Sequence, residues 1–353
     1  MEENDDFLGP LLVTPETIKK ESNFRRDKYQ RMSVRKSSVD EYLTEGWEFD
    51  KELKRVTRIK KIKPFDEIFE NRVWSLFFKL GYKELNKGRN FNIKIEKKDA
   101  DPYYHQIDVF ARDAETVVLC ECKSATEIKK KSLQKDIEEF GNLKGPIATS
   151  IRKHYGYNFK PKILWLFITD KILWSKNDKD KAKGNNIKII TERELRYLLQ
   201  NAEYLGSAAR YQFLAQYFEG EKIPELANVK VPAIKGKIGK KTYYSFVLTP
   251  RHLLKLSFIN HRSLDDPSGH PTYQRLVSRI RMKQIGKFIT NGGFFPNNIL
   301  VNLKYHLRFD QINKDELSNI KFGYLYLPDK YRSIWIIDGQ HRLYGYAHLE
   351  DKF

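Results

Sequence analysis

From residue 64 onward, apolar residues recur with helical spacing. In PFDEIFENRVWSLFFKLGY, Phe65, Ile68, Phe69, Val73, Leu76 and Leu80 share one helical face, and Gly81 is a natural stop. Glu70 falls at the edge of that face. The period then drops to two. FNIKIEK (91–97) alternates apolar and polar residues as a half-buried strand does. YYHQIDVFAR and TVVLCECKSA predict two more strands, separated by the turn-like DAET. Residues 132–155 read mainly as helix, with a break at Gly145-Pro146. The unbroken apolar run KILWLFIT (162–169) fits a strand covered on both faces. NNIKIIT leads into a further helix, where Thr191 and Glu194 have capping-box spacing. The predicted order is helix, three strands, helix, strand, strand, helix, over residues 61–205.

The flanks read differently. Residues 1–60 form a charge-dense extension, and the low aliphatic content of RRDKYQRMSVRKSS predicts partial disorder over the first ~40. Residues 206–230, opening with the helical LGSAARYQFLAQYF, read as a helical linker. A second domain follows over 231–353. It holds the strand YYSFVL, a short helix after Pro250, and the basic helix PTYQRLVSRIRMKQIGKFIT ending at Asn291-Gly292-Gly293. The strand NNILVNL comes next, and SIWIIDGQHRLYGYAH is a strand that breaks at Gly339 into a helix. Because the chain stops about one helix later, a truncated or minimal domain is expected.

Charge sharpens this outline. The 353 residues carry 65 Lys+Arg against 46 Asp+Glu, a formal charge of +19, which points to a polyanionic partner and to DNA first. No apolar run approaches the ~18 residues of a membrane span. MEENDDFLGP lacks the basic-then-apolar order of a signal peptide. The two cysteines, Cys120 and Cys122, sit in one strand and cannot make a four-cysteine zinc site. A cytoplasmic protein is expected.

Candidate chemistry comes from VVLCECKSA (117–125), where Glu121 and Lys123 interrupt a strand that otherwise belongs in a core. A turn centred between Ala114 and Glu115 makes antiparallel partners sum to 229. Asp108 then faces Glu121, with Cβ atoms roughly 5 Å apart. Carboxylates that close repel unless a cation lies between them, and hard oxygen ligands favour Mg²⁺ or Mn²⁺. Lys123, one pleat along, is placed to orient a water or steady developing charge, and Glu70 to complete the site. Such a set suits metal-assisted phosphodiester hydrolysis. An E-x-K on a strand also occurs as a plain exposed ion pair; the facing aspartate and the helical glutamate argue against that here. On these residues, residues 60–200 resemble the PD-(D/E)xK nuclease superfamily. The resemblance implies a restriction-endonuclease-like αβββαβ core, with Glu70, Asp108, Glu121 and Lys123 catalytic and Asp108 and Glu121 on the metal. The family's proline before the first acid is absent, Gln106-Ile107 standing there.

The second constellation is Asp338, Gly339, Gln340, His341 and Arg342, where the strand IWII meets a helix. A glycine turn with freed amides and a nearby arginine can hold an anion, and can equally be a helix cap with a structural arginine. Taken with TYQR (272–275) and GGFFPNNILV, it resembles the DGQHR-domain family, which includes the DndB proteins of DNA phosphorothioation systems. The same order is similar to the ParB/sulfiredoxin-like α+β fold, which implies nucleotide phosphates held by Gln274-Arg275 and by Gly339 to Arg342, with ATP or CTP as candidate ligands. Arg279, Arg281 and Lys283 on the basic helix are candidate DNA contacts.

The expectation is an α/β (α+β) protein acting as a Mg²⁺-dependent DNA endonuclease of a bacterial DNA-modification or anti-phage defence system. Its second domain would sense DNA, modified or not, or a nucleotide. Homo-oligomers and other proteins of such an operon are candidate partners. Two alternatives stand beside it: a non-cutting DNA-binding regulator of the DndB type, and a nucleotide-hydrolysing switch.

Overall fold

The change of period at residue 91 is a true structural boundary in the computed structural model, which describes residues 6–97, 100–259, 278–312 and 320–349. Helices and several sheets mix along the chain, as an α+β protein requires. Two units cluster separately, Met1–Arg196 and Tyr197–Phe353.

The first unit runs β1 (Leu11–Leu12), α1 (Pro15–Arg26), β2 (Tyr29–Arg35), α2 (Val39–Thr44), β3 (Glu48–Glu52), β4 (Val56–Ile62), α3 (Phe65–Lys79), β5 (Glu84–Asn86), β6 (Phe91–Lys97), β7 (Ala100–Ile107), β8 (Val109–Arg112) and β9 (Thr116–Lys130). It continues through α4 (Gln134–Asn142), α5 (Lys144–Tyr155), β10 (Lys162–Leu173), α6 (Lys176–Gly184) and β11 (Lys188–Thr191), and α7 (Glu192–Leu205) begins within it. Its main sheet has the order β1-β5-β8-β9-β10-β11. Strands β8 and β9 pair antiparallel with Val109 opposite Cys120 and Arg112 opposite Val117, so partners sum to 229 as the turn predicted. Strands β9, β10 and β11 are parallel. Helix α3 packs on β8 and β9 through a face that buries Phe69, Val73, Trp74, Leu76 and Phe77. Val117 and Leu119 of β9 join Ile137, Phe140, Ile147 and Trp165 in a core cluster on one face, and Val118 and Cys120 on the other face are fully buried too, so the strand is covered on both sides. Glu194 Oε2 accepts from the Thr191 amide and hydroxyl, closing the capping pair at α7.

Three expectations need correcting here. The helix over 132–155 breaks at Leu143, not at Gly145-Pro146, because Pro146 sits in the first turn of α5 where a missing N–H does no harm. From Asp6 onward the N-terminal segment is built of strands and helices and is no disordered extension. Strand β1 pairs with β5 at the edge of the main sheet, and β2, β4 and β3 form a sheet of their own. Its charges are matched within the fold: Arg58 holds Asp50, and Arg25, 4% exposed, donates to Glu21, to Asn71 on α3 and to the Gly88 carbonyl. The third correction concerns residues 206–230. Helix α8 (Ala209–Tyr217) buries seven of its nine residues and packs on the elements that follow, so it is core and not linker. A helix apolar nearly all round is read as a buried one.

The second unit continues with β12 (Lys230–Ile238), β13 (Lys241–Phe246), α9 (Pro250–Leu256), β14 (Ser257–Phe258), α10 (Arg279–Thr290), β15 (Leu300–Leu303), β16 (Phe309–Gln311), β17 (Lys321–Tyr326), β18 (Ile334–Asp338) and α11 (Gln340–Tyr346). Its sheets are β13-β12-β17-β16 and β14-β18-β15. Helices α10 and α11 cross closely. A Cβ on Gly345 would meet the Ile285 Cγ2 at 2.3 Å, so only a glycine fits there.

Candidate functional site

Asp108 occupies the break between β7 and β8, and Asn86 at the end of β5 makes that break. The buried Asn86 amide accepts from the Phe110 N–H (3.1 Å) and donates to the carbonyls of Asp108 (3.3 Å) and Gly88 (3.0 Å), replacing ladder bonds that the kinked strand lacks. Trp74 of α3 in turn donates to the Asn86 carbonyl. So placed, Asp108 stands one residue beyond the last β8–β9 pair, opposite Glu121. Its Oδ2 accepts from the Cys122 amide at 2.7 Å. Burial, Glu121 across the ladder and the more distant Glu70 raise its pKa to about 7. Its ionised form is disfavoured as a carboxylate facing a second one must be.

Lys123 lies 3.9 Å from Glu121 and 3.6 Å from Asp136 in the first turn of α4. Burial opposes its charge, but Glu121, Asp108 and Asp136 outweigh it, and the lysine pKa is raised. The two neighbouring thiols are pushed well up by burial, which disfavours their thiolate forms. Glu70, 6% exposed, is brought near Asp108 but is not left open. Arg89 clamps it with two bonds of 2.7 Å and reaches Asp66 at 2.6 Å with the same guanidinium. The clamp raises the Arg89 pKa, foremost through Glu70. In this geometry the Glu70 carboxylate, expected to complete the site, is bonded to Arg89.

Among the described residues no three His, Cys, Asp or Glu side chains gather as a metal-holding group. The two facing carboxylates still suit Mg²⁺ or Mn²⁺, which bind through one or two carboxylates with water and phosphate oxygens filling the remaining positions. The raised proton affinity of Asp108 is what burial beside a second, uncompensated carboxylate produces. Pattern reading passed over His105. From β7, its Nε2 is buried without a hydrogen-bond partner among the described residues and lies 3.6 Å from Glu121. A histidine three residues before the first acid, in a strand that feeds the site, was the available signal.

In the second unit, Gly339 adopts φ +92 at the cap of α11. Arg342 does not reach outward. Its Nη1 donates to the Asn297 carbonyl (2.6 Å) and its Nη2 to the exposed Asp338 (3.0 Å), tying the turn to the segment before β15. His341 Nε2 accepts from the Ser278 amide at the start of α10, and burial and Arg281 lower its pKa. Gln340 opens α11 beside it. On α10, Arg281 and Lys283 are exposed, and Arg279 is its first residue. Gln274 and Arg275 lie outside the described residues.

Residues 231–349, about a third of the chain, match the DndB family, described as DNA-sulfur modification-associated. No curated protein matches the sequence. Among solved structures, protein VC1899 from Vibrio cholerae is similar at 9% identity with a TM-score of 0.29, over 53% of this chain and 50% of that one. The chain thus spans about half the length of that protein. The protein of unknown function AF1548 is similar at 20% identity with a TM-score of 0.26, over 38% of this chain and 67% of that one. No helix among the described residues is long and apolar enough to cross a membrane.

Proposed function

We propose that this chain acts on DNA within a bacterial phosphorothioation-linked modification or defence system, and that its first unit cleaves phosphodiesters with Mg²⁺ or Mn²⁺. The observation that carries the reading is the facing pair Asp108 and Glu121, half-buried, with the Asp108 pKa raised to about 7. In this reading the two carboxylates hold the cation, which supplies a Lewis acid for the phosphate and a more acidic water. Lys123 stays charged at neutral pH and balances charge growing on the phosphate oxygens. Arg89 holds the Glu70 carboxylate in place with its two hydrogen bonds. The match over 231–349 and the exposed Arg281 and Lys283 support phosphate contacts by the second unit. ATP, CTP or a DNA phosphate at the DGQHR turn belongs to the same proposal; such a ligand must draw Arg342 away from Asp338. Copies of this chain and proteins of the same system are the proposed partners.

A second reading is favoured by two facts: the clamp on Glu70, and a family match that leaves the first unit uncovered. In it the chain is a non-cutting regulator of the DndB kind. Supercoiled plasmid, with and without phosphorothioate marks, separates the two in Mg²⁺, Mn²⁺ and EDTA. Cation-dependent nicking that Asp108→Asn loses is the expected result, with Lys123→Ala slowed by about a hundredfold or more. DNA binding without cleavage under every condition would make the regulator reading the right one.

A further inference from the structure

The sheet β13-β12-β17-β16 presents an outer face that neither the carboxylate pair nor the DGQHR turn uses. Directly opposed residues of an antiparallel pair share a face. Lys230 opposes Tyr326, Pro232 opposes Tyr324 and Ile234 opposes Phe322, while Tyr243 stands across from Gly236. This face is open: Phe322 is 52% exposed and Tyr243 36%. The alternate positions Ala233 and Leu325 are buried, so the sheet has one core side and one solvent side carrying aromatic rings.

Charge surrounds the rings. On the ring face the strands carry Lys230 and Lys241, with Arg308 beside Tyr326, against one acid, Asp310. That acid is neutralised in place. Arg308 grips it with bonds of 2.9 and 2.8 Å, and the Tyr326 hydroxyl also lowers its pKa after Arg308. Cations lie over the rings as well: Lys230 is 4.7 Å from the Tyr324 centroid and Arg308 is 4.5 Å from that of Tyr326. Gly236 matters for the same surface, because a Cβ there would meet the Tyr243 ring at 2.5 Å; the glycine lets that ring lie across the strand.

We propose that this face binds single-stranded nucleic acid, with bases stacked on Tyr324, Tyr326 and Phe322 and phosphates met by Lys230, Arg308 and Lys241. Aromatic rings on an open sheet flanked by cations provide the two things a strand without base pairs needs: flat surfaces for its bases and positive charge along its backbone. A duplex offers no free base faces and gains nothing from the rings. The inference does not depend on whether the first unit cuts. A protein surface could also cover exposed aromatic residues, but Lys230, Lys241 and Arg308 around the rings, with the one acid of that face already paired, match a polyanion.

The test is fluorescence anisotropy of the full chain with labelled oligo-dT and oligo-rU of about 15 nucleotides and with a duplex of equal length. Tyr324→Ala with Tyr326→Ala should weaken single-strand binding at least about tenfold and leave duplex binding unchanged. Tyr324→Phe with Tyr326→Phe should keep single-strand affinity within about twofold, since the ring and not the hydroxyl stacks. Phe322→Ser, at an exposed position, guards against a double variant that fails to fold, and should lose about threefold or more. Comparison of dT with rU tells which kind of strand is preferred. Absence of single-strand binding by the native chain would overturn the proposal. So would equal binding by Phe322→Ser, or by a folded double alanine variant.

Discussion

At the scale of single residues, the account rests on where charge is forced into company. Asp108 has its pKa raised to about 7 by burial, Glu121 and Glu70. The unfolded chain holds this carboxyl in the ordinary range, so the native state keeps its proton longer as pH rises. The stability contributed by that proton is therefore full in acid, and is lost as pH climbs from the ordinary carboxylate range through 7. Asp108→Asn removes the penalty, and above pH 7 it should melt higher than the native protein by something on the order of 2 kcal/mol. Melts from pH 5 to pH 9 check this; a gap that stays constant over the range would deny the carboxylate repulsion. Arg342 leads to the opposite kind of prediction. Its guanidinium is already engaged by the Asn297 carbonyl and Asp338. Arg342→Ala should therefore lower stability by about 1–2 kcal/mol, with a thermal melt as the readout, where a free phosphate-binding arginine would leave the melt unchanged. Of these residues, the sequence made Asp108, Glu121 and Lys123 visible, because spacing on two strands is local. Asn86 and Arg89 were hidden, since each acts through a contact that no short window contains.

Among elements, legibility followed length and periodicity. The β8–β9 register was readable from a four-residue turn, and α3 from its apolar face. Strand β5 has only three residues and left no pattern, although Asn86 at its end shapes the site. The N-terminal segment misled because charge density resembles disorder, while the contacts that dock it on the rest of the unit lie far along the chain. Arg25 is the clearest case. It ties α1 to Asn71 on α3 and to Gly88, and lies 4.8 Å from the Trp74 ring. Arg25→Met keeps much of the volume and removes the charge, leaving Asn71 and the Gly88 carbonyl without their donor. A loss of about 2–3 kcal/mol is expected, with proteolysis of the first sixty residues coming earlier in a denaturant series. A variant as resistant as the native chain would show that α1 contributes no such tie.

For the molecule as a whole, the +19 charge and the DndB match over 231–349 fit the proposed action on DNA, and the proposed nuclease chemistry requires Asp108 and Glu121 to share a divalent cation. Calorimetric titration with Mn²⁺ in buffers of different ionisation enthalpy measures this without reference to cutting. A cation taking the place of the Asp108 proton must release it, so binding should free most of a proton at pH 6 and progressively less as pH rises through 7. Affinity should rise over the same interval, and Asp108→Asn should lose both the binding and the proton. Binding with no proton release at pH 6, or unchanged binding by Asp108→Asn, would contradict the assignment of the pair as a metal site.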